Sequence, residues 1–224
     1  RELFTDPSTS RLDSCGPERR MRVVISGTYG SGKSTLAQAL STSTGLPLVA
    51  ARGMREFLRD HFNNKPLDAC TFDDLIELGV RRFRERLIAE ASHPSGYVSD
   101  GSTLNEWAYG LGRIEYGFSL RANEPRALRE DQQRFTLVMD RLGKVFHEHA
   151  SSAYDLIVHL PPELPIAPDQ HRPLMPAYRA FTDTRLRKAY SEIGLSVFEC
   201  TGPLDARIAS VQQRIGHVIA HGRT

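Results

Sequence analysis

The chain has 224 residues, 40% of them apolar and 25% charged, with a net charge of +2. That length accommodates one domain with a sizeable core, the charge gives no argument for a nucleic-acid polymer as partner, and no apolar run approaches the ~18 residues of a membrane span. The cysteines Cys15, Cys70 and Cys200 suit neither a disulfide framework nor a metal site in number or spacing, so a reducing cytoplasm is the expected compartment.

Residues 1–20 are polar, contain Pro7 and Pro17 and lack the apolar middle of a signal peptide. They are expected to form a loose leader ahead of a single domain over 21–224. The domain opens on Met21-Arg-Val-Val-Ile-Ser26, an apolar run of β-branched character. Directly after it, Gly27-Thr-Tyr-Gly-Ser-Gly-Lys-Ser34 fits the pattern G-x-x-x-x-G-K-[ST] in full. A helix-forming stretch follows, with Leu36, Ala37 and Leu40 as its apolar face. Strand, glycine-rich loop and helix is the setting that gives this pattern its meaning.

Each part of the loop answers a need of a bound polyphosphate. Gly27, Gly30 and Gly32 allow backbone conformations in which successive amides turn inward on phosphate oxygens. Lys33 offers a positive charge to the β- and γ-phosphates, Ser34 a hydroxyl to Mg²⁺, and the helix beginning here points its positive end at the same oxygens. Thr28, Tyr29, Ser31 and Thr35 complete the set of residues expected around the nucleotide.

Further short apolar runs occur at Leu46–Ala50, Tyr97–Ser99, Leu156–Leu160 and Leu195–Cys200, with helix-like stretches between them. Strands alternating with helical crossovers predict an α/β fold with a parallel sheet and helices on both faces. Ligands of such sheets sit at the carboxyl ends of the strands, so the residues following each run are the ones to read. Arg52 and Arg55 follow the second run and, with Trp107 and Arg185, are candidates for contacting the acceptor. Asp100 ends the third, where a carboxylate binds Mg²⁺ or takes the proton of an attacking hydroxyl; an Asp-Gly turn is the plainer alternative. Asp155 lies at the opposite end of its strand and reads as structural.

After the fourth run comes a polar, Pro-rich segment and then a charged helix, together a lid over about 163–192. Its arginines Arg172, Arg179 and Arg185 are candidates for stabilising a transferring phosphoryl group, with Arg187 and Lys188 left to solvent. The run Arg81-Arg82-Phe-Arg84-Glu-Arg86 reads mainly as a solvated helix face over a buried Leu78, Phe83 and Leu87. His147 and His149 diverge on a helix and cannot share a metal, and His159 reads as an ordinary packed histidine. Trp107, Tyr109 and Tyr116 suit an acceptor pocket and an aromatic core equally.

Taken with these features, the loop Ser26–Thr35 resembles the small P-loop kinases. It is most similar to the group containing the ribosylnicotinamide kinase domain of the bifunctional NAD-biosynthesis regulator and its AAA-type ATP/GTP-binding relatives. That resemblance implies a P-loop NTPase fold of five parallel strands with an arginine-bearing lid after strand 4. Lys33, Ser34 and Thr35 match the group's phosphate loop and Asp100 its acid after the third strand. Asp169 and Arg172 are similar to its lid start, with Gln170 where the group has Gly. Arg179, Asp183, Leu186 and Tyr190 resemble its lid helix, and Gly202 and Arg207 its C-terminal element. Many relatives carry a Glu three residues before the arginine after the second strand; Arg52 stands here instead, which favours a phosphate- or carboxylate-bearing acceptor over ribosylnicotinamide.

The expected activity is phosphoryl transfer from ATP·Mg²⁺ to a small molecule such as a nucleoside or nucleotide. No nucleic-acid polymer or membrane is expected as partner, and a homodimer is compatible with the chain. Two alternatives stay open: a regulatory ATPase or GTPase without an acceptor, and an antibiotic-modifying phosphotransferase. Against a GTPase, the nearest approach to Asn-Lys-x-Asp is Asn64-Lys-Pro-Leu-Asp68, one residue too long and too early in the chain. The Leu-Ser-Gly-Gly-Gln signature of transporter ATPases is absent.

Overall fold

The structure, a computed structural model, describes residues 21–117, 130–165 and 175–221. Residues 1–20, read as the leader, lie outside the described residues. β1 (Arg22–Gly27) runs into the phosphate loop and α1 (Lys33–Thr44). There follow β2 (Leu48–Ala50), α2 (Met54–His61), a single 3₁₀ turn (Leu67–Ala69), α3 (Phe72–Ala91), β3 (Tyr97–Asp100), α4 (Thr103–Tyr116) and α5 (Glu130–Ala153). The chain continues through β4 (Leu156–Leu160), α6 (Pro176–Glu192), β5 (Val197–Glu199) and α7 (Leu204–His221).

Five strands form one sheet in the order β2-β3-β1-β4-β5, and every pairing is parallel. Each expected apolar run contributes one strand. Period-two alternation divides the strand side chains between two cores. Val23, Ile25, Val98, Leu156, Val158 and Leu160 meet Leu36 and Leu40 of α1 and Val211 and Ile215 of α7. Val24, Tyr97 and Ile157 face the other way, toward Leu104, Phe146, Leu186 and Tyr190 of α4, α5 and α6. With both faces covered, the central strands have no polar side to show water. A smaller cluster of Phe57, Leu58, Leu67, Cys70 and Leu78 ties α2 to α3.

Local signals set the helix ends. Thr71 and Asp74 form a reciprocal capping box at the start of α3, and Ser102 with Asn105 forms another at α4. Gly45 closes α1 in the left-handed conformation. At the amino-terminal edge of the sheet, Arg22 grips Asp155 through two guanidinium bonds of 2.9 and 3.0 Å, far from the ligand edge.

Of the stretch read as a lid, residues 166–174 lie outside the described residues, and α6 belongs largely to the core. Tyr178, Arg179, Thr182, Asp183, Leu186, Ala189 and Tyr190 are buried along it. Lys188 and Glu192 are exposed on its outer face, whereas Arg179 and Asp183 are buried and bond to the glycine-rich loop and to His159. Among the described residues no helix is long and apolar enough to cross a membrane.

Glycines let α4 and α5 approach closely. A Cβ on Gly143 would lie 2.5 Å from Trp107 Nε1, a rigid ring that itself packs edge-on against His147. Gly143→Ala is therefore expected to destabilise the fold by about 1–2 kcal/mol, the overpacking cost exceeding the helix-propensity gain. Gly216→Ala in α7, where nothing lies within 4 Å of the new Cβ, should instead stabilise it by up to about 1 kcal/mol. Urea denaturation of the two variants checks both signs, and a raised midpoint for Gly143→Ala would contradict this packing.

Candidate active site

The phosphate loop is fixed by donors reaching its carbonyls from outside. Gly27 has φ 139°, and a Cβ there would stand 2.6 Å from the Leu160 carbonyl oxygen, so only glycine lets β1 turn this close to β4. Gly32, left-handed at φ 92°, caps α1 without a side-chain bond, and no acidic residue occupies the first turn. Within the loop, Ser31 Oγ and Lys33 Nζ both donate to the Thr28 carbonyl, at 2.9 and 2.6 Å. Arg179, buried on α6, donates to Thr28 Oγ1 (3.3 Å), the Gly30 carbonyl (3.4 Å) and the Leu164 carbonyl (2.6 Å). Arg207, buried on α7, donates to the Ser31 carbonyl at 3.2 Å and to Glu163 at 3.1 Å.

Asp100 reaches the loop through strand register. β3 pairs with β1 so that Asp100 lies beside Ile25, two residues before the loop begins, and the Gly101 amide donates to the Ile25 carbonyl at 3.0 Å. The bend after Asp100 is held by Arg86 of α3, 3% exposed. Its guanidinium donates to Ser99 Oγ (2.8 Å), the Gly101 carbonyl (2.9 Å) and the Asp100 carbonyl (3.1 Å). Asn105 of α4 bridges the two motifs, its amide donating to the Gly27 carbonyl at 3.0 Å while its Oδ1 accepts from the Ser102 amide at 2.8 Å.

A cavity of about 350 Å³ opens between these elements. Tyr29, Gly30, Lys33, Ser34 and Asp100 line one end of it, so the structure brings the predicted loop and acid to one space. Its walls add Arg82, Arg86, Glu106 and Arg113, then a largely apolar surface from α3 and α5. Arg82 donates to Glu106 at 2.8 Å and to the Arg52 carbonyl at 2.7 Å. Tyr29, Tyr109 and Tyr178 gather at the loop end, with ring centroids 6.1 and 6.5 Å from Tyr29. Burial pushes the Tyr178 phenol up to about 12, and its hydroxyl donates to the Tyr109 carbonyl at 3.0 Å.

Several predicted substrate residues stand elsewhere. Arg52 is exposed and ion-paired to Glu85 (3.0 Å) and Asp60 (3.2 Å), so its charge is met by two carboxylates outside the cavity. Arg55 is exposed and absent from the cavity wall. Trp107 packs on α5 at Gly143, as aromatic core rather than pocket. Arg185 lies over the Phe181 ring, 4.8 Å from its centroid. Arg172, with Asp169 and Gln170, lies outside the described residues.

Sequence reasoning missed Arg82 and Arg86, assigned to solvent; Arg81 and Arg84 do take that outer face. Their spacing of four, against Glu106 on a neighbouring helix, was the available signal. It also underread His159. That ring is fully buried, its Nε2 2.8 Å from Asp183 Oδ1 and its Nδ1 3.4 Å from Ser26 Oγ. The chain of contacts continues from Ser26 Oγ to Tyr190 OH (2.9 Å) and Ser102 Oγ (2.6 Å), forming a polar layer beneath the loop.

A parallel five-stranded sheet with a glycine-rich loop after β1 and an acid after β3 defines a P-loop NTPase fold. A family model described as an AAA domain matches residues 22–207, and the chain belongs to that family. Compared with curated proteins by sequence, the chain finds no match. Among solved structures, thymidylate kinase from Candida albicans superposes with a TM-score of 0.62 at 14% identity, covering 89% of this chain and 92% of its own. Deoxyadenosine kinase from M. mycoides gives 0.59 at 12% identity, covering 88% and 100%. The NadR protein in complex with NAD and AMP-PNP gives 0.54 at 16% identity, covering 88% of this chain and 50% of that one. At these identities the likeness is one of fold.

The polar layer carries a pH signature. Burial pushes the Asp183 carboxyl up, but hydrogen bonds from His159 and Arg187 together outweigh it and hold the group below its usual range. A depressed folded value means the stabilisation is present above the unfolded value, about 3.9, and is lost as pH falls through the folded one. Asp183→Asn is expected to cost about 1–3 kcal/mol at neutral pH. It should also flatten the fall in melting temperature on acidification below pH ~4. Thermal melts from pH 7 to 3 test this; a slope identical to that of the parent protein would rule Asp183 out as a contributor.

Proposed function

We propose that this protein is an ATP-dependent phosphotransferase whose acceptor is a small molecule bearing a hydroxyl. The observation that carries this reading is the half-open cavity that has Lys33 and Ser34 at one end, Asp100 beside them, and room for a second molecule beyond. A switch or regulatory NTPase has no need of such a space. An antibiotic-modifying enzyme would differ only in what fills it.

In this reading the amides of Gly27–Ser34 bind the triphosphate and Lys33 offsets charge on the β- and γ-oxygens. Ser34 supplies a hydroxyl, a hard oxygen donor that fits Mg²⁺ beside the phosphates, and with a hydroxyl acceptor the Asp100 carboxylate in the same space is left to act as the base. Among the described residues no group of three or more His, Cys, Asp or Glu could hold a metal. Mg²⁺ in phosphoryl-transfer sites is held by one or two side chains, phosphates and water. When bound, the ion neutralises phosphate charge. The acceptor oxygen attacks the γ-phosphorus as the bond to the β-phosphate oxygen breaks, and Asp100 takes the hydroxyl proton. Arg179 is a positioning residue for the loop through Thr28 and Gly30, and Arg172 is the arginine proposed to offset charge on the transferring phosphoryl group.

ADP formation from ATP·Mg²⁺, measured with a panel of hydroxylated acceptors, tests the reading. One acceptor class should raise turnover strongly. Asp100→Asn should lower kcat about 10²–10⁴-fold with nucleotide affinity kept. Lys33→Ala should lower kcat by about 10²-fold or more. Slow ADP release indifferent to every acceptor would sink the transferase reading in favour of a regulatory NTPase.

A further inference from the structure

Resting on the phosphotransferase reading, we infer that the acceptor is an alcohol with an apolar body rather than a nucleoside. The cavity has two unlike ends. Beyond Lys33 and Asp100, its far wall is made by Leu75, Leu78, Phe135, Met139, Leu142 and Phe146, from α3 and α5. At about 350 Å³ it falls toward the small end of ligand pockets, about 300–1,000 Å³.

Beyond the loop end, four of the polar side chains lining it bond within the protein, and Glu106, Tyr109 and Arg113 line it as well. Arg82 holds Glu106 and the Arg52 carbonyl. Arg86 holds Ser99, Asp100 and Gly101. Asn105 is spent on Gly27 and Ser102, and the Tyr178 hydroxyl on Tyr109. A nucleobase carries several ring and exocyclic donors and acceptors, and each one buried without a partner is costly. Against the far wall, the described residues answer them with methyl, methylene and phenyl groups. An apolar chain or ring gains from the same wall, and Met139 adapts its shape to it. The hydroxyl then lies at the loop end. Its oxygen bonds to the γ-phosphorus of ATP, its proton passes to Asp100, and ADP leaves with the bonding pair of the broken P–O bond.

The test compares geraniol and 2-phenylethanol with adenosine and thymidine as acceptors for the full chain with ATP·Mg²⁺, following ADP and the phosphate ester together. We expect kcat/KM for the apolar alcohols to exceed that for the nucleosides by at least about tenfold. Leu75 is only half-buried at this wall, so Leu75→Gln places an amide there with little packing lost. It should raise KM for the alcohols about tenfold while kcat and ATP affinity stay unchanged. Should that variant unfold, Ile76→Gln on the same wall replaces it. Efficient phosphorylation of a nucleoside with both alcohols inert would overturn this inference and leave the transferase reading standing. If nothing is phosphorylated, the transferase reading falls, and calorimetric titration of geraniol decides the pocket's character. Saturable binding weakened by Leu75→Gln upholds the apolar site, and no binding overturns it.

Discussion

A loop that turns its amides inward must turn its carbonyls outward, and those carbonyls need donors. Several of this fold's buried polar side chains near β1 are arranged around that requirement. The Gly27 carbonyl is taken by Asn105 of α4, Thr28 by Ser31 and Lys33, Gly30 by Arg179 of α6, and Ser31 by Arg207 of α7. Four helices therefore meet at one eight-residue loop. The sheet order supplies the meeting point, because β1 lies at the centre with β3 and β4 on either side.

The same constraint explains why buried arginines here bind mostly carbonyls. A guanidinium offers five donors in a fixed fork and never loses its charge, so one side chain can satisfy several acceptors that belong to a turning backbone. Arg86 does this at the β3 bend and Arg179 at the phosphate loop. Bonds from a charged donor to a neutral acceptor contribute more than neutral pairs, about 1.5–3 kcal/mol against about 1. On the proposed function, full charges near the phosphate loop would also favour a bound anion.

What could be read from the sequence divides along the same line. The strands, the loop and Asp100 were legible because each is a local signal: apolar runs set the strands, glycine spacing the loop, and the parallel topology the edge where the acid had to lie. Arg86 was not legible. Helical periodicity makes it a neighbour of Arg82 but does not say whether the face they share meets water or another helix, and Arg81 and Arg84 have the same local chemistry. Arg52 failed for the opposite reason: it stands at the expected edge, but Glu85, thirty-three residues on, and Asp60 draw its charge outward. His159 read as packed because a strand interior is its commonest setting; its partner Asp183 comes from a helix whose charged sequence suggested a lid. In each case the deciding partner lies on another element.

On the proposed function, chemistry and selectivity are carried by different parts of the chain. Asn105 and the carbonyl-binding arginines together hold the backbone of the loop and of the bend after Asp100, so loss of any of those side chains disturbs backbone that the others hold. The far wall of the cavity rests on side chains of α3 and α5 that hold no loop carbonyl among the described residues. Leu75, Ile76 and Met139 can change in size or polarity while Asn105, Arg179 and Arg207 keep the loop in place. A fold built this way can keep one phosphate site and exchange the molecule beside it, which is why a shared sheet and loop at 12–16% identity say little about the acceptor.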